Sequence, residues 1–145
     1  MVAGTLCRRI VATVSPGETL RAAARRMEED EVGTLVVVET HNTDRAAGML
    51  TDRDLAIRCI ARGLDPESTS VSQVMSSPVH TIDENAPVEF ALSEMAAAAT
   101  RRLVVTGKGG KAVGILSLDD LLGVLCEQAA SLSMLLQKQR PLIGV

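Results

Sequence analysis

The feature that most constrains this chain is an internal repeat. Thr13-Val14-Ser15-Pro16 through Val36-Val37 aligns without a gap with Thr81-Ile82-Asp83-Glu84 through Val104-Val105, at a constant offset of 68 residues. Each copy then closes on a glycine, two apolar residues, a hydroxyl and an aspartate. These are Gly48-Met49-Leu50-Thr51-Asp52-Arg53-Asp54 and Gly114-Ile115-Leu116-Ser117-Leu118-Asp119-Asp120, now at an offset of 66, so the second copy has the shorter internal connection. A tandem repeat of one α/β unit predicts two similar halves packed together, with related polar sites between them.

A single repeat of about 60 residues would bury only ~60% of its unfolded surface, too little to be comfortably stable alone. The two copies are therefore expected to share a core within the 145-residue chain. Phe90 is the sole aromatic residue, so that core must be built from Val, Leu, Ile, Ala and Met, and a planar ligand would lie between aliphatic side chains.

In the first repeat, residues 11–14 read as a short strand ended by Ser15-Pro16-Gly17. A helix follows, with Leu20, Ala23, Ala24 and Met27 at the i, i+3, i+4, i+7 spacing of a core-facing stripe, and Arg21, Arg25, Arg26, Glu28 and Glu29 on the wet side. Val88, Ala91, Leu92 and Met95 repeat that stripe. Thr34 to Val38 is β-branched and apolar, as expected of a strand buried on both faces. A polar loop from Glu39 to Arg45 leads to a second strand ending at Thr51, then to a helix from Asp52 that stops before Gly63. Residues 63–72, rich in Asp, Pro, Ser and Thr, read as the connection between repeats. The last helix, from about Leu118 to Gln139 with Pro141 as its stop, keeps Leu121, Leu125, Leu132, Leu135 and Leu136 on one stripe. Two readings stay open for it: docking on its own domain, or contact with another subunit or partner.

The predicted fold class is α/β (α+β): two pseudo-symmetric repeats, each a small sheet with two packed helices, plus an extended C-terminal helix. The expected boundaries are residues 3–63, 71–126 and 127–145.

The glycine-apolar-apolar-hydroxyl-x-x-Asp run carries the chemistry. Its hydroxyl stands where strand becomes helix, beside unpaired backbone N–H groups that favour an anion such as phosphate. The aspartate is acceptor-only and suits the two hydroxyls of a ribose. The same spacing in Thr51-x-x-Asp54 and Ser117-x-x-Asp120 also matches a capping box, in which both groups serve only the helix's own N–H groups. Arg53 beside Thr51 would favour a phosphorylated ligand at the first helix start, whereas Asp119 beside Asp120 would disfavour one at the second.

Other chemistries find little support. A net charge of −3 argues against a general nucleic-acid binder. No apolar stretch is long enough to span a membrane, and the N-terminal residues lack the run of a secretory signal, so a soluble cytoplasmic chain is expected. His41 and His80 form no metal-ligand spacing. Three cysteines suggest no disulfide framework: Cys59 and Cys126 are expected to be buried, and Cys7 exposed. Asp119-Asp120 is the one dense acidic pair near the proposed site, and adjacent helical residues do not face each other; the chain is expected not to be an enzyme.

The chain resembles a tandem pair of cystathionine-β-synthase (CBS) domains, together a Bateman module, of the small stand-alone bacterial type. The resemblance rests on Thr13 to Leu20, Val32-Gly33-Thr34-Leu35 and Gly48 to Leu55, then on Val74-Met75, Arg101-Arg102-Leu103 and Gly114 to Leu121, and spans about Ala3 to Cys126. It implies two clefts binding adenosine-containing ligands (AMP, ADP, ATP, NAD or S-adenosylmethionine) as regulatory ligands, with no required cofactor. It implies ribose on Asp54 and Asp120 and phosphate near Thr51 and Ser117. Adenine would lie near Thr13, Val14 and Val32 to Leu35 (Gly33 included) in one cleft, and near Thr81, Ile82 and Arg101 to Leu103 (Arg102 included) in the other. A homodimer is implied as well, with an undefined target protein. The family has proline after the Gly-x-Leu or Arg-Arg-Leu run; Val36 and Val104 stand there instead. The alternative reading is a ligand-free interaction module acting through the C-terminal helix and a dimer surface.

Overall fold

The computed structural model describes residues 1–9, 12–39, 41 and 44–139. The repeat seen in the sequence is a repeat of structure. Strands β1 (Thr13–Val14), β2 (Thr34–Val38) and β3 (Ala46–Thr51) form one sheet, and β4 (Thr81–Asp83), β5 (Arg102–Thr106) and β6 (Ala112–Ser117) form the other. In each, the first strand runs parallel to the second and the second antiparallel to the third. Register is conserved between the copies: Thr13 faces Val36 as Thr81 faces Val104, and Leu35 faces Leu50 as Leu103 faces Leu116. Even the irregularity recurs, between Val37 and Val38 and between Val105 and Thr106.

Helix α1 (Ala3–Leu6) precedes the first sheet. Helices α2 (Leu20–Glu29) and α4 (Val88–Ala98) are the parallel crossovers within each half. Thr19 caps α2 by accepting from the Ala22 N–H at 3.1 Å. Both crossovers end beside a residue of left-handed conformation at the same repeat position, Glu31 (φ 53°) and Ala99 (φ 50°). Helix α3 starts at Asp52–Asp54 and continues as a wider, π-type turn through Leu55–Ile60; Gly63 beyond it has φ 69°, the left-handed conformation that glycine tolerates. Helix α5 runs from Leu118 to Gln139.

Packing corrects the helical stripes. Leu20, Ala23 and Met27 are buried, as are Ala91 and Met95, but Ala24 is exposed and Leu92 is 38% exposed. The i+4 position of each stripe looks outward. Arg26 is not on the wet side: it donates to the Thr13 carbonyl and pairs with Glu18 at 3.2 Å, tying the helix to β1. Strand β1 begins at Thr13, one residue past the described Ala12; Val11 and Pro141 lie outside the described residues, as does part of the Glu39–Arg45 loop.

Among the described residues there are two separate cores and a shared one. Val14, Leu35, Val37 and Leu50 gather under α2 in the first half; Ile82, Leu103, Val105 and Leu116 gather under α4 in the second. Between the sheets, Val36, Val38 and Val104 pack with Met49 and Ile115. The two valines standing at the family's proline positions thus hold the sheets together. Their N–H groups are used too: Val36 donates to the Ala12 carbonyl at 2.9 Å and Val104 to the His80 carbonyl at 3.0 Å, bonds a proline could not make.

The leading segments of the repeats are exchanged. Residues before β1 dock on the second half: the Ala3 and Gly4 N–H groups donate to the Ala86 and Glu84 carbonyls, and Arg8 forms a two-bond antiparallel bridge with Ile115 of β6. Residues before β4 dock on the first half: the Val71 and Ser72 N–H groups donate to the Glu18 and Pro16 carbonyls, and Ser76 bridges Met49 of β3. Ala3 and Cys7 complete one core as Val71 and Val74 complete the other.

This exchange explains the signature glycines. A Cβ at Gly48 would lie 2.8 Å from the Met75 sulfur and the Ser76 carbonyl oxygen, and one at Gly114 would lie 2.6 Å from the Cys7 sulfur and 2.7 Å from the Arg8 carbonyl oxygen. Cys7 is consequently buried, and its burial pushes the thiol pKa up, while Cys126 is exposed; the sequence expectation had these two reversed.

Candidate functional site: two clefts across the repeats

Each signature aspartate sits in the first turn of the helix that follows its sheet. The Asp54 N–H donates to Thr51 Oγ1 at 3.1 Å, and the Thr51 N–H donates to Asp54 Oδ2 at 2.9 Å. In the second copy the Asp120 N–H donates to Ser117 Oγ at 3.2 Å, and the Ser117 N–H donates to Asp120 Oδ2 at 3.0 Å. Both are complete capping boxes. They consume only one oxygen of each carboxylate. Asp54 Oδ1 faces Arg58 Nε, and Asp120 Oδ1 faces Arg8 Nε, each at 3.7 Å. That separation exceeds hydrogen-bond range, so each Oδ1 can still accept.

The two hydroxyls differ. Ser117 Oγ–H donates to Asp120 Oδ2 at 2.6 Å, whereas the Thr51 hydroxyl only accepts among the described bonds and keeps its proton for another acceptor.

The clefts pair each aspartate with the opposite repeat. One, of about 140 Å³, is lined by Thr51, Asp54 and Met49 from the first repeat and by Ser76, His80, Thr100 and Arg102 from the segment leading into the second repeat and from the repeat itself. The other, of about 250 Å³, sets Ser117, Asp120 and Ile115 against Arg8, Ala12, Val32, Gly33 and Thr34. These are the same site twice, with Ser76 in the place of Arg8, His80 in that of Ala12 and Thr100 in that of Val32. Their charge balance is not the same. The Asp54 cleft sets one arginine, Arg102, against one carboxylate; the Asp120 cleft sets Arg8 and Arg102 against Glu31, Asp119 and Asp120.

Not every expected residue lines a cleft. Val14, Leu35, Ile82 and Leu103 are buried in the two cores, because alternate strand residues point inward. Thr13 is half-buried and offers its carbonyl to Arg26. Thr81 lines a shallow depression on another face, with Ser77 and Thr106. Arg53 is exposed and outside the lining of the Asp54 cleft. Arg101 is exposed and pairs with Asp119 at 3.4 Å, which partly neutralises the acidic neighbour of Asp120. Arg8 and Ser76 were missed because the exchange of leading segments brings them in from outside the aligned motifs. His80 and Ala12, each one residue before the aligned block, could have been found from the repeat itself.

The sequence model of the CBS domain matches residues 3–59 and again 71–127. The chain belongs to the CBS-domain family. Relatives include the CBS domain-containing protein YhcV of Bacillus subtilis, 42% identical over 111 residues that cover 77% of this chain and 76% of YhcV. An uncharacterized protein of Methanopyrus kandleri is 36% identical over 121 residues, 83% of this chain but only 61% of that protein's length. Among solved structures, a CBS domain protein of Pyrobaculum aerophilum complexed with AMP superposes with a TM-score of 0.77 at 28% identity, covering 90% of this chain and 99% of that one. The CBS pair accounts for the duplicated sheets and for the two related clefts between them.

Proposed function

We propose that this CBS pair is a regulatory module that takes an adenosine-containing ligand in its clefts. The observation that carries this reading is the divided use of two cleft-lining residues, Asp54 and Asp120: one oxygen caps the helix, and the other makes no hydrogen bond among the described residues. Ribose hydroxyls are suitable donors to that second oxygen. The free Thr51 hydroxyl and Arg102 suit a phosphate in the Asp54 cleft, and the apolar Met49 side chain suits the face of a base. The AMP complex of a relative sharing this fold supports the ligand class. Ligand contacts from both repeats would bias how the halves pack, because a ligand shifts an equilibrium by its differential affinity for the two states.

The test is a calorimetric titration with AMP, ADP, ATP, NAD and S-adenosylmethionine. The chain has no Trp or Tyr, so adenine carried through purification also gives a visible peak near 260 nm. At least one of the five should bind; silence from all five at millimolar concentration would reject the reading.

A second reading is favoured by helix α5. Beyond Leu121 its side chains are almost all exposed, including Leu125, Leu132, Leu135 and Leu136. The helix is docked on its own domain only at its start, through Leu118 and Leu121, and the exposed apolar stripe beyond supports a homodimer or target contact, with or without ligand.

A further inference from the structure

Among the described residues, Arg102 alone lines both clefts. It opens β5 opposite Ser117, in the place that Thr34 holds opposite Thr51 in the first repeat, and Thr34 reaches only the Asp120 cleft. Arg102 bonds to Thr100 through its backbone, and among the described residues no carboxylate pairs with its guanidinium; the neighbouring Arg101 has taken Asp119. One uncommitted cation therefore stands between two sites that each have room for an anion.

We propose that Arg102 is a single phosphate ligand shared by the two clefts, so that a phosphorylated nucleoside in one weakens the other toward a second. The proposal rests on the clefts being nucleoside sites, as argued above. A guanidinium binds phosphate through a directed fork of N–H groups and can present that fork to one side at a time. If it turns into the Asp54 cleft, the Asp120 cleft keeps Arg8 against three carboxylates, of which only Asp119 has a further arginine, Arg101, beside it, and repels a second phosphate. If it turns the other way, the Asp54 cleft loses the arginine of its lining, and Arg58 beside it stays paired with Asp54 at 3.7 Å. A nucleoside without phosphate makes no demand on Arg102 and should fill both clefts almost independently.

The experiment uses full-length chains and two probes, AMP and adenosine, followed by calorimetry. Asp54→Asn and Asp120→Asn each leave one working cleft, and Arg102→Gln is introduced into both and into the wild type. Arg102→Gln should leave melting unchanged, since among the described residues its side chain makes no hydrogen bond or ion pair. It should weaken AMP about tenfold or more in both single-cleft chains, the effect of losing a charge-assisted hydrogen bond, while adenosine changes little. In the wild type, the second AMP should bind more weakly than to either single-cleft chain, and Arg102→Gln should remove that gap. A loss confined to one cleft, or AMP affinities untouched by Arg102→Gln, would overturn the sharing. Adenosine binding with no preference for AMP would overturn it too while sparing the nucleoside reading. Failure of both probes to bind the wild type would instead remove the nucleoside reading itself.

Discussion

Asp54 caps its own helix with one oxygen and leaves the other without a hydrogen bond among the described residues, so the two readings of its motif are compatible. Asp54→Asn retains an acceptor for the Thr51 N–H and loses the charge. Its helix-terminal charge is worth about 0.3–1 kcal/mol to folding, whereas a hydrogen bond from ribose to the ionised group is worth about 1.5–3 kcal/mol. Calorimetry should show about a tenfold or greater loss of nucleotide affinity at that cleft, with melting lowered by only a few degrees; the reverse pattern would make Asp54 a cap alone. At Gly114 the constraint is steric. Gly114→Ala puts a methyl 2.6 Å from the Cys7 sulfur and should cost about 1–3 kcal/mol in denaturant unfolding. Gly17→Ala, with open space around it, should stay within about 0.5 kcal/mol. At this scale the motif positions were legible because their chemistry is local. What packed over the glycines was not, since Met75 comes to Gly48 and Cys7 to Gly114 from segments outside the aligned repeats.

Among the elements, the strands and crossover helices were legible because β-branched runs and a 3.6-residue apolar period announce themselves. The stripes were read one position too wide: Ala24 and Leu92 satisfy the period yet lie outside the core. Periodicity identifies an apolar face without saying what covers it. Helix α5 shows the same gap on a larger scale. Its 22 residues span about 33 Å at 1.5 Å per residue, and only its first turn is anchored, by Leu121. If a second copy covers the rest, Leu125→Lys together with Leu132→Lys should turn a species of twice 15.3 kDa into one of 15.3 kDa by light scattering. The secondary structure should survive, because Leu125 is 48% and Leu132 62% exposed within the chain. A wild type that is monomeric at every concentration would show that α5 serves something other than a second copy.

For the molecule as a whole, a ligand held in the clefts would add to stability, because it binds the folded chain and not the unfolded one. A nucleotide at about 100 times its dissociation constant should add roughly 2.7 kcal/mol. For a chain of this length that is a melting shift of very roughly 5–10 °C, readable by scanning calorimetry. That two repeats would share a core was legible from the size of each; that the sharing runs through Val36 and Val104 was not, because the resemblance assigns those positions to a ligand wall.

The exchange of leading segments reaches further. It is reciprocal: Arg8 bridges Ile115 just as Ser76 bridges Met49, by the same surface on each side. A contact of that kind closes on itself after two members. A chain carrying one repeat and its leader would thus lack a segment that only a second copy could supply, and two such chains could clasp each other without any covalent link. The connection at residues 64–68 lies against α2, where the Pro66 carbonyl accepts from the Arg21 N–H and Glu67 pairs with the Arg21 side chain, so it belongs to the first half. Cutting it would leave two pieces still holding one another's ends.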